Sequence, residues 1–168
     1  MDIGRVTRLT LMIVLLATAL AGCGAPEGPS IQVTDVWARP AMAGSGMESG
    51  SASEGAMGQG MAAAGTGAVF MQLANEGREA DRLIGGQTGV ANVVEIHETR
   101  MEGDVMKMQM LPEGLEIPAK GSVRLEPGGY HVMLIGMKQN LEPGDRFEIE
   151  LQFEKSGTKR VQAEVQQP

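Results

Sequence analysis

The chain has 168 residues, enough for one domain with a single core, and a formal net charge of −7. Its 24 Gly and 13 Met stand against 3 Phe, 1 Trp and 1 Tyr, an excess of a soft, flexible residue that specifies a rigid core poorly. The acidic balance makes nucleic acid and anionic lipid surfaces poor partners.

The N-terminus, "MDIGRVTRLTLMIVLLATALAGC", carries Arg5 and Arg8, an apolar run from Leu11 to Leu16 and a small-residue ending. That is the layout of a secretory signal, and the run is too short for a comfortable membrane span. Leu20-Ala21-Gly22-Cys23 resembles the bacterial lipobox, which makes residues 1–22 a lipoprotein signal peptide and Cys23 the lipidated first residue of the mature chain. An ordinary signal cleaved nearby, with Cys23 a stray thiol, is the plainer alternative. Acyl chains on Cys23 would hold the protein to a membrane, facing the periplasm or cell exterior. Cleavage removes Asp2, Arg5 and Arg8, leaving 20 acidic and 12 basic residues. Cys23 is the only cysteine, so once it is acylated the fold has no thiol, and any soft-metal site must be built from Met and His.

Residues 23–29 comprise the lipidated Cys and a short tether, and a single domain is expected over 30–168. A strand pattern begins at "IQVTDVWARP", with Ile31, Val33 and Asp35 on one face and Trp37 at the end, stopped by Pro40. Residues 41–67 follow, rich in Gly, Ala, Ser and Met and without a period that would bury a face. They read as an insertion whose Met42, Met47, Met57 and Met61 are either an auxiliary thioether metal site or low-complexity drift. Beyond it come "AVFMQLAN", "DRLIGGQT", "NVVEIHETR" and, after Glu102-Gly103-Asp104, "DVMKMQML". "GSVRLEPGGYHVMLIGM" holds two more strands around Pro127-Gly128-Gly129, and the last segment forms a hairpin around Lys155-Ser156-Gly157-Thr158. No segment sustains a helical stripe, and many short strands predict an all-β sandwich or small barrel.

Alternation along these strands assigns faces. In "YHVMLIG", Val132 and Leu134 share one face, while His131, Met133 and Ile135 share the other. The Cα atoms of His131 and Met133 are then ~7 Å apart, close enough for an imidazole and a thioether to converge on one ion. In "NVVEIHETR", Val94 and Ile96 point inward and His97 outward with Glu95 and Thr99. Met106, Met108 and Met110 share a face opposite Lys107 and Gln109, as ordinary core positions would. Each His or Met taken alone is more often structural than a ligand; what points to a metal is that both histidines lie outward and near methionines. Such a set of neutral, soft donors favours Cu(I), whereas zinc prefers Cys, His and carboxylates.

These residues resemble a known family, the periplasmic CuA chaperones written PCu(A)C. The family signature is a His, ten residues, a Met and, after a longer gap, His-x-Met. Here ten residues separate His97 from Met108 and twenty-two separate Met108 from His131-Val132-Met133. The second gap is one residue longer than the family's usual form, which makes Met106 or Met110 conceivable in place of Met108. "HETRMEGDVMKMQ", "GLEIPAKGSVRLEPGGYHVMLIGMKQ" and "LEPGDRFEIELQFE" also look like the family, and the likeness covers about residues 30–165.

The resemblance implies a cupredoxin-like Greek-key β-sandwich whose His97, Met108, His131 and Met133 bind Cu(I). It implies a metallochaperone, not an enzyme, that hands copper by ligand exchange to the CuA site in subunit II of cytochrome c oxidase, alongside Sco-type proteins. Glu95, Glu98 and Tyr130 are candidates to orient the imidazoles. A monomer is expected. The chain departs from some relatives in ending "RVQAEVQQP", without a His- and Met-rich tail. The competing readings are a copper or silver storage and tolerance lipoprotein, and a structural sandwich without metal. Catalysis is disfavoured because two histidines and no thiol offer no nucleophile and base arrangement. A blue-copper carrier is disfavoured because it needs a Cys thiolate.

Overall fold

A computed structural model describes residues 27–44, 65–103 and 105–167. The signal peptide, Cys23, Met47, Met57 and Met61 lie outside the described residues. Every regular element among those described is a strand: β1 (Ile31–Ala38), β2 (Thr66–Asn75), β3 (Asp81–Thr88), β4 (Ala91–Glu102), β5 (Val105–Met110), β6 (Leu115–Ile117), β7 (Ser122–Leu125), β8 (Tyr130–Met137), β9 (Arg146–Phe153) and β10 (Gly157–Val165). The all-β expectation holds, and the architecture is that of a cupredoxin-like domain.

The strands run in the order β5-β4-β8-β2-β1-β10-β9-β3-β6, with β7 added beside β2. Period-two patterning builds the core. In β9, Phe147, Ile149, Leu151 and Phe153 are buried, while the residues between them face away from the core. They meet Val69, Met71 and Leu73 of β2, Ile96 of β4, and Val132 and Leu134 of β8 in one apolar cluster. All β1 to β10 pairings are antiparallel except that between β1 and β10.

The alternation predicted for β1 fails at Asp35. Asp35 takes a φ of 53°, and the register with β2 shifts between Thr34 and Trp37. This is a β-bulge, for which Asp tolerates the left-handed backbone better than most residues. Past the bulge, Trp37 and Ala38 pair with both β2 and β10, so the kink lets one strand serve two neighbours. The three-residue β6 escaped detection because Leu115 and Ile117 are too few to establish a period.

The end of the predicted tether already belongs to the fold. Asn75, buried at the end of β2, accepts hydrogen bonds through Oδ1 from the Ser30 and Gly77 amides, both at 3.0 Å, and donates through Nδ2 to the Glu79 carbonyl at 2.7 Å. A Cβ on Gly77 would lie 2.1 Å from the Gly28 carbonyl oxygen, so only glycine admits the incoming chain there. The ends of the insertion are likewise stitched together: the Gly65 amide donates to the Met42 carbonyl at 3.0 Å, and Ala41 bridges to Leu141.

Candidate metal centre

The turn before β8 explains why a histidine follows two glycines. Pro127 and Gly128 form the bend between Glu126 and Gly129, with the Gly129 amide donating to the Glu126 carbonyl at 3.0 Å and Gly128 at a φ of +83°. The turn aims the Gly129 carbonyl at two donors, the Thr99 amide at 3.0 Å and His131 Nδ1 at 3.1 Å. A carbonyl only accepts, so Nδ1 carries the proton, and Nε2 of the neutral ring is left with its lone pair.

His131 and His97 are directly paired across β8 and β4, with ring centroids 5.9 Å apart. Glu95, two residues before His97 on the same face, accepts from His97 Nε2 at 2.8 Å. The lone pair of His97 is therefore on Nδ1, which is buried and has no hydrogen-bond partner among the described residues. A buried nitrogen without a partner is costly. A metal ion would satisfy it.

The outward reading of both histidines needs a correction at His131. Its side chain does face away from the core to which Val132 and Leu134 belong, but it is only 4 % exposed. Phe70 of β2 covers it, with ring centroids 6.3 Å apart, and Trp37 stacks on Phe70 at 4.5 Å. The Arg39 guanidinium lies 5.5 Å from the centre of the Phe70 ring. Trp37, Phe70, His131 and His97 thus form a row across β1, β2, β8 and β4 on the side opposite the main core. Burial, together with the nearby His97 and Arg39, pulls the His131 pKa below its ordinary 6.5 against the opposing Gly129 hydrogen bond. The neutral form, with a ring nitrogen free to donate its lone pair, is favoured.

Methionines surround this row. Met133 pairs with Glu95 across β8 and β4, one step along from His131. On the other flank Met110, not Met108, stands opposite His97, and Met108 pairs with Thr99 one step further out. The Leu111 amide donates to the Ile96 carbonyl, so Ile96 and Leu111 form a hydrogen-bonded pair. His97 and Met110 are then a narrow, non-hydrogen-bonded pair, whose side chains approach most closely. Met108 and Met133 lie on opposite sides of the histidine row, so the His-x10-Met spacing alone does not select the nearest thioether. The plainer alternative of ordinary core positions for Met106, Met108 and Met110 falls away, because every residue of β5 is exposed among the described residues.

Of the three orienting candidates, only Glu95 serves. Glu98 and Tyr130 are paired with each other on the opposite face of β4 and β8, and Glu98 is bound to Arg100 at 2.7 Å. Phe70, Arg39 and the Gly129 carbonyl escaped the sequence reading; the Pro-Gly-Gly turn was the one signal that could have exposed the last. Among the described residues no three His, Cys, Asp or Glu side chains gather into a metal cluster.

Residues 31–165 match the model of the LpqE-like family, described as "Putative lipoprotein LpqE-like". The chain belongs to the LpqE-like family. A relative in Leifsonia xyli subsp. xyli, named "Putative lipoprotein Lxx21020", is 30 % identical over 161 residues, covering 96 % of this chain and 90 % of its own. Among solved structures, the "Copper-bound PCuAC domain from PmoF2" superposes with a TM-score of 0.57 at 22 % identity, covering 86 % of this chain and 97 % of that one. The "Solution structure of CuI-DR1885 from Deinococcus Radiodurans" gives a TM-score of 0.54 at 28 % identity, covering 87 % of this chain and 83 % of that one.

Proposed function

We propose that this LpqE-like protein is an exported lipoprotein, anchored through Cys23, that binds one Cu(I) at His97, His131 and Met133 and passes it to an acceptor. The observation that carries the reading is the pair of imidazoles, each with its N–H tied to a protein oxygen and its lone pair free, one of them buried without a partner. Soft thioethers beside neutral imidazoles suit a monovalent copper ion. The copper-bound state of the Deinococcus relative supports the same ion.

The remaining donor comes from β5, where Met110 stands opposite His97 and Met108 is the next thioether outward. We assign both, used one at a time. A site with one buried wall and one exposed hairpin suits ligand exchange: the acceptor's donors approach from the β5 side as the weak Met ligands leave. No electron or proton need move, because the imidazoles and thioethers bind as neutral groups. On the family resemblance of the sequence we extend the proposal to the CuA site of cytochrome c oxidase subunit II as acceptor, with Sco-type proteins as co-workers.

Anaerobic mixing of the Cu(I)-loaded protein with a soluble CuA domain tests this. Copper appearing on the acceptor supports the reading, and copper retained under excess acceptor contradicts delivery and leaves storage.

A further inference from the structure

The β4–β5 hairpin carries more thioethers than one copper centre can use. Register places Met101 directly opposite Met106, and Thr99 opposite Met108. Paired positions share a face, as do residues two apart on one strand. Met101, Met106, Met108 and Met110 therefore line one face, continuous with His97. Their exposures are 63 %, 62 %, 54 % and 43 %.

Two observations distinguish this face from a generic sticky surface. The reverse face of the hairpin is polar, with Glu98 bound to Arg100 and Lys107 to Glu102, so the hairpin stands in water as an amphipathic two-stranded element. On the thioether face, every apolar residue beyond the histidine row is Met; the aliphatic Val105 belongs to the reverse face, opposite Glu102. Leu, Val or Phe would serve a docking surface equally well, whereas only Met offers soft lone pairs.

The spacing suits a metal. By the alternation that makes His97 and Met110 a narrow pair, Met101 and Met106 are also a non-hydrogen-bonded pair, with Cα atoms ~4.5 Å apart. Met106 and Met108, two residues apart on one strand, are ~7 Å apart. Three flexible thioethers at those separations can converge on one ion.

We propose that Met101 and Met106, with Met108 as a donor shared with the inner centre, form a second Cu(I) site at the hairpin tip. The inference rests on the preceding reading only for the identity of the ion. Copper held there moves inward by exchange: its bonds to Met101 and Met106 break as bonds to Met110 and the imidazoles form. The ion stays Cu(I), and no proton is displaced. Three neutral sulfurs without an imidazole make the outer site the weaker of the two, as a relay requires.

The test uses full-length protein with 13C-methyl-labelled methionine, titrated with Ag(I), a redox-inert ion of the same charge and softness. The first equivalent is expected to move the Met133 methyl and the His97 and His131 ring signals. The second is expected to move Met101 and Met106. The double variant Met101→Leu, Met106→Leu, which changes only exposed side chains, is expected to keep the first equivalent and lose the second. A double variant that still takes the second equivalent overturns the proposal. So does a second equivalent that moves Met42, Met47, Met57 or Met61 instead. If Met101 and Met106 respond while both histidines stay silent, the outer site stands and the inner-centre reading falls.

Discussion

His97 and His131 are register partners across β4 and β8, and each commits its ring N–H to a different oxygen: Glu95 holds His97 through Nε2, the Gly129 carbonyl holds His131 through Nδ1. Opposite ring nitrogens are thereby left as donors on neighbouring strands. This complementary tautomer pair turns two ordinary strand histidines into a candidate metal centre.

Of the two supports, Glu95 is the one that a substitution can remove, because the other is a backbone carbonyl. Glu95→Ala frees the His97 ring and is expected to weaken Cu(I) binding by roughly 10- to 100-fold, the usual cost of losing an orienting partner. Glu95→Gln keeps an acceptor oxygen and should lose less. Competition with a Cu(I) chelator measures both, and an unchanged affinity in Glu95→Ala would show that His97 needs no support.

If Met108 and Met110 alternate as the β5 donor, each compensates for the other. Met108→Leu and Met110→Leu should singly cost less than about tenfold in Cu(I) affinity, while the double variant should cost more than the product of the two, as interacting neighbours do. Strict additivity would assign the ligand to one methionine alone.

The His131 pKa lies below 6.5, with burial as the main cause. The folded state therefore binds fewer protons than the unfolded chain between the two pKa values, and His131 costs the fold nothing above the unfolded pKa. As pH falls from 6.5 towards the lowered folded value, stability declines. An NMR titration of apo protein should place the His131 midpoint below that of an exposed imidazole. A midpoint at or above 6.5 would contradict the burial seen here.

Asp81 sits far from the histidines and holds the last hairpin. It is buried and accepts from the Arg82 amide at 2.8 Å, the Lys155 amide at 2.9 Å and the Ser156 amide at 3.0 Å, and from the Ser156 hydroxyl. Burial alone would raise its pKa, but the hydrogen bonds led by Ser156 outweigh it and leave the carboxyl below its ordinary 3.8. Its contribution is present in full above the unfolded pKa and is lost as pH falls from there through the lowered folded value. Asp81→Asn is expected to cost about 1–3 kcal/mol, because one amide group cannot accept from all of these donors. Chemical denaturation should register the loss with Cu(I) binding unchanged.

Much of this was legible in the residues. Alternation in "NVVEIHETR" and "YHVMLIG" set both histidines opposite an aliphatic face, and short strands without a helical stripe established the all-β class. What stayed hidden depends on neighbours that a linear pattern does not contain. Phe70 covers His131 from a strand more than fifty residues away in the chain. The hairpin register decides that Met110 rather than Met108 faces His97. Asp35 disguises a bulge as a continued strand. The period of β5 fits a core strand as well as a ligand-bearing one, and only its exposure separates the two.

The central claim is that the His97–His131 pair binds Cu(I). Anaerobic competition with a chromogenic chelator, applied to the wild type, His131→Ala and the less buried His97→Ala, tests it most directly. One tight equivalent in the wild type, lost in both variants while the β-sheet circular dichroism is retained, is the predicted result. Equal binding by all three proteins would contradict it, and "GGYHVM" would then be no more than a turn and a packed strand.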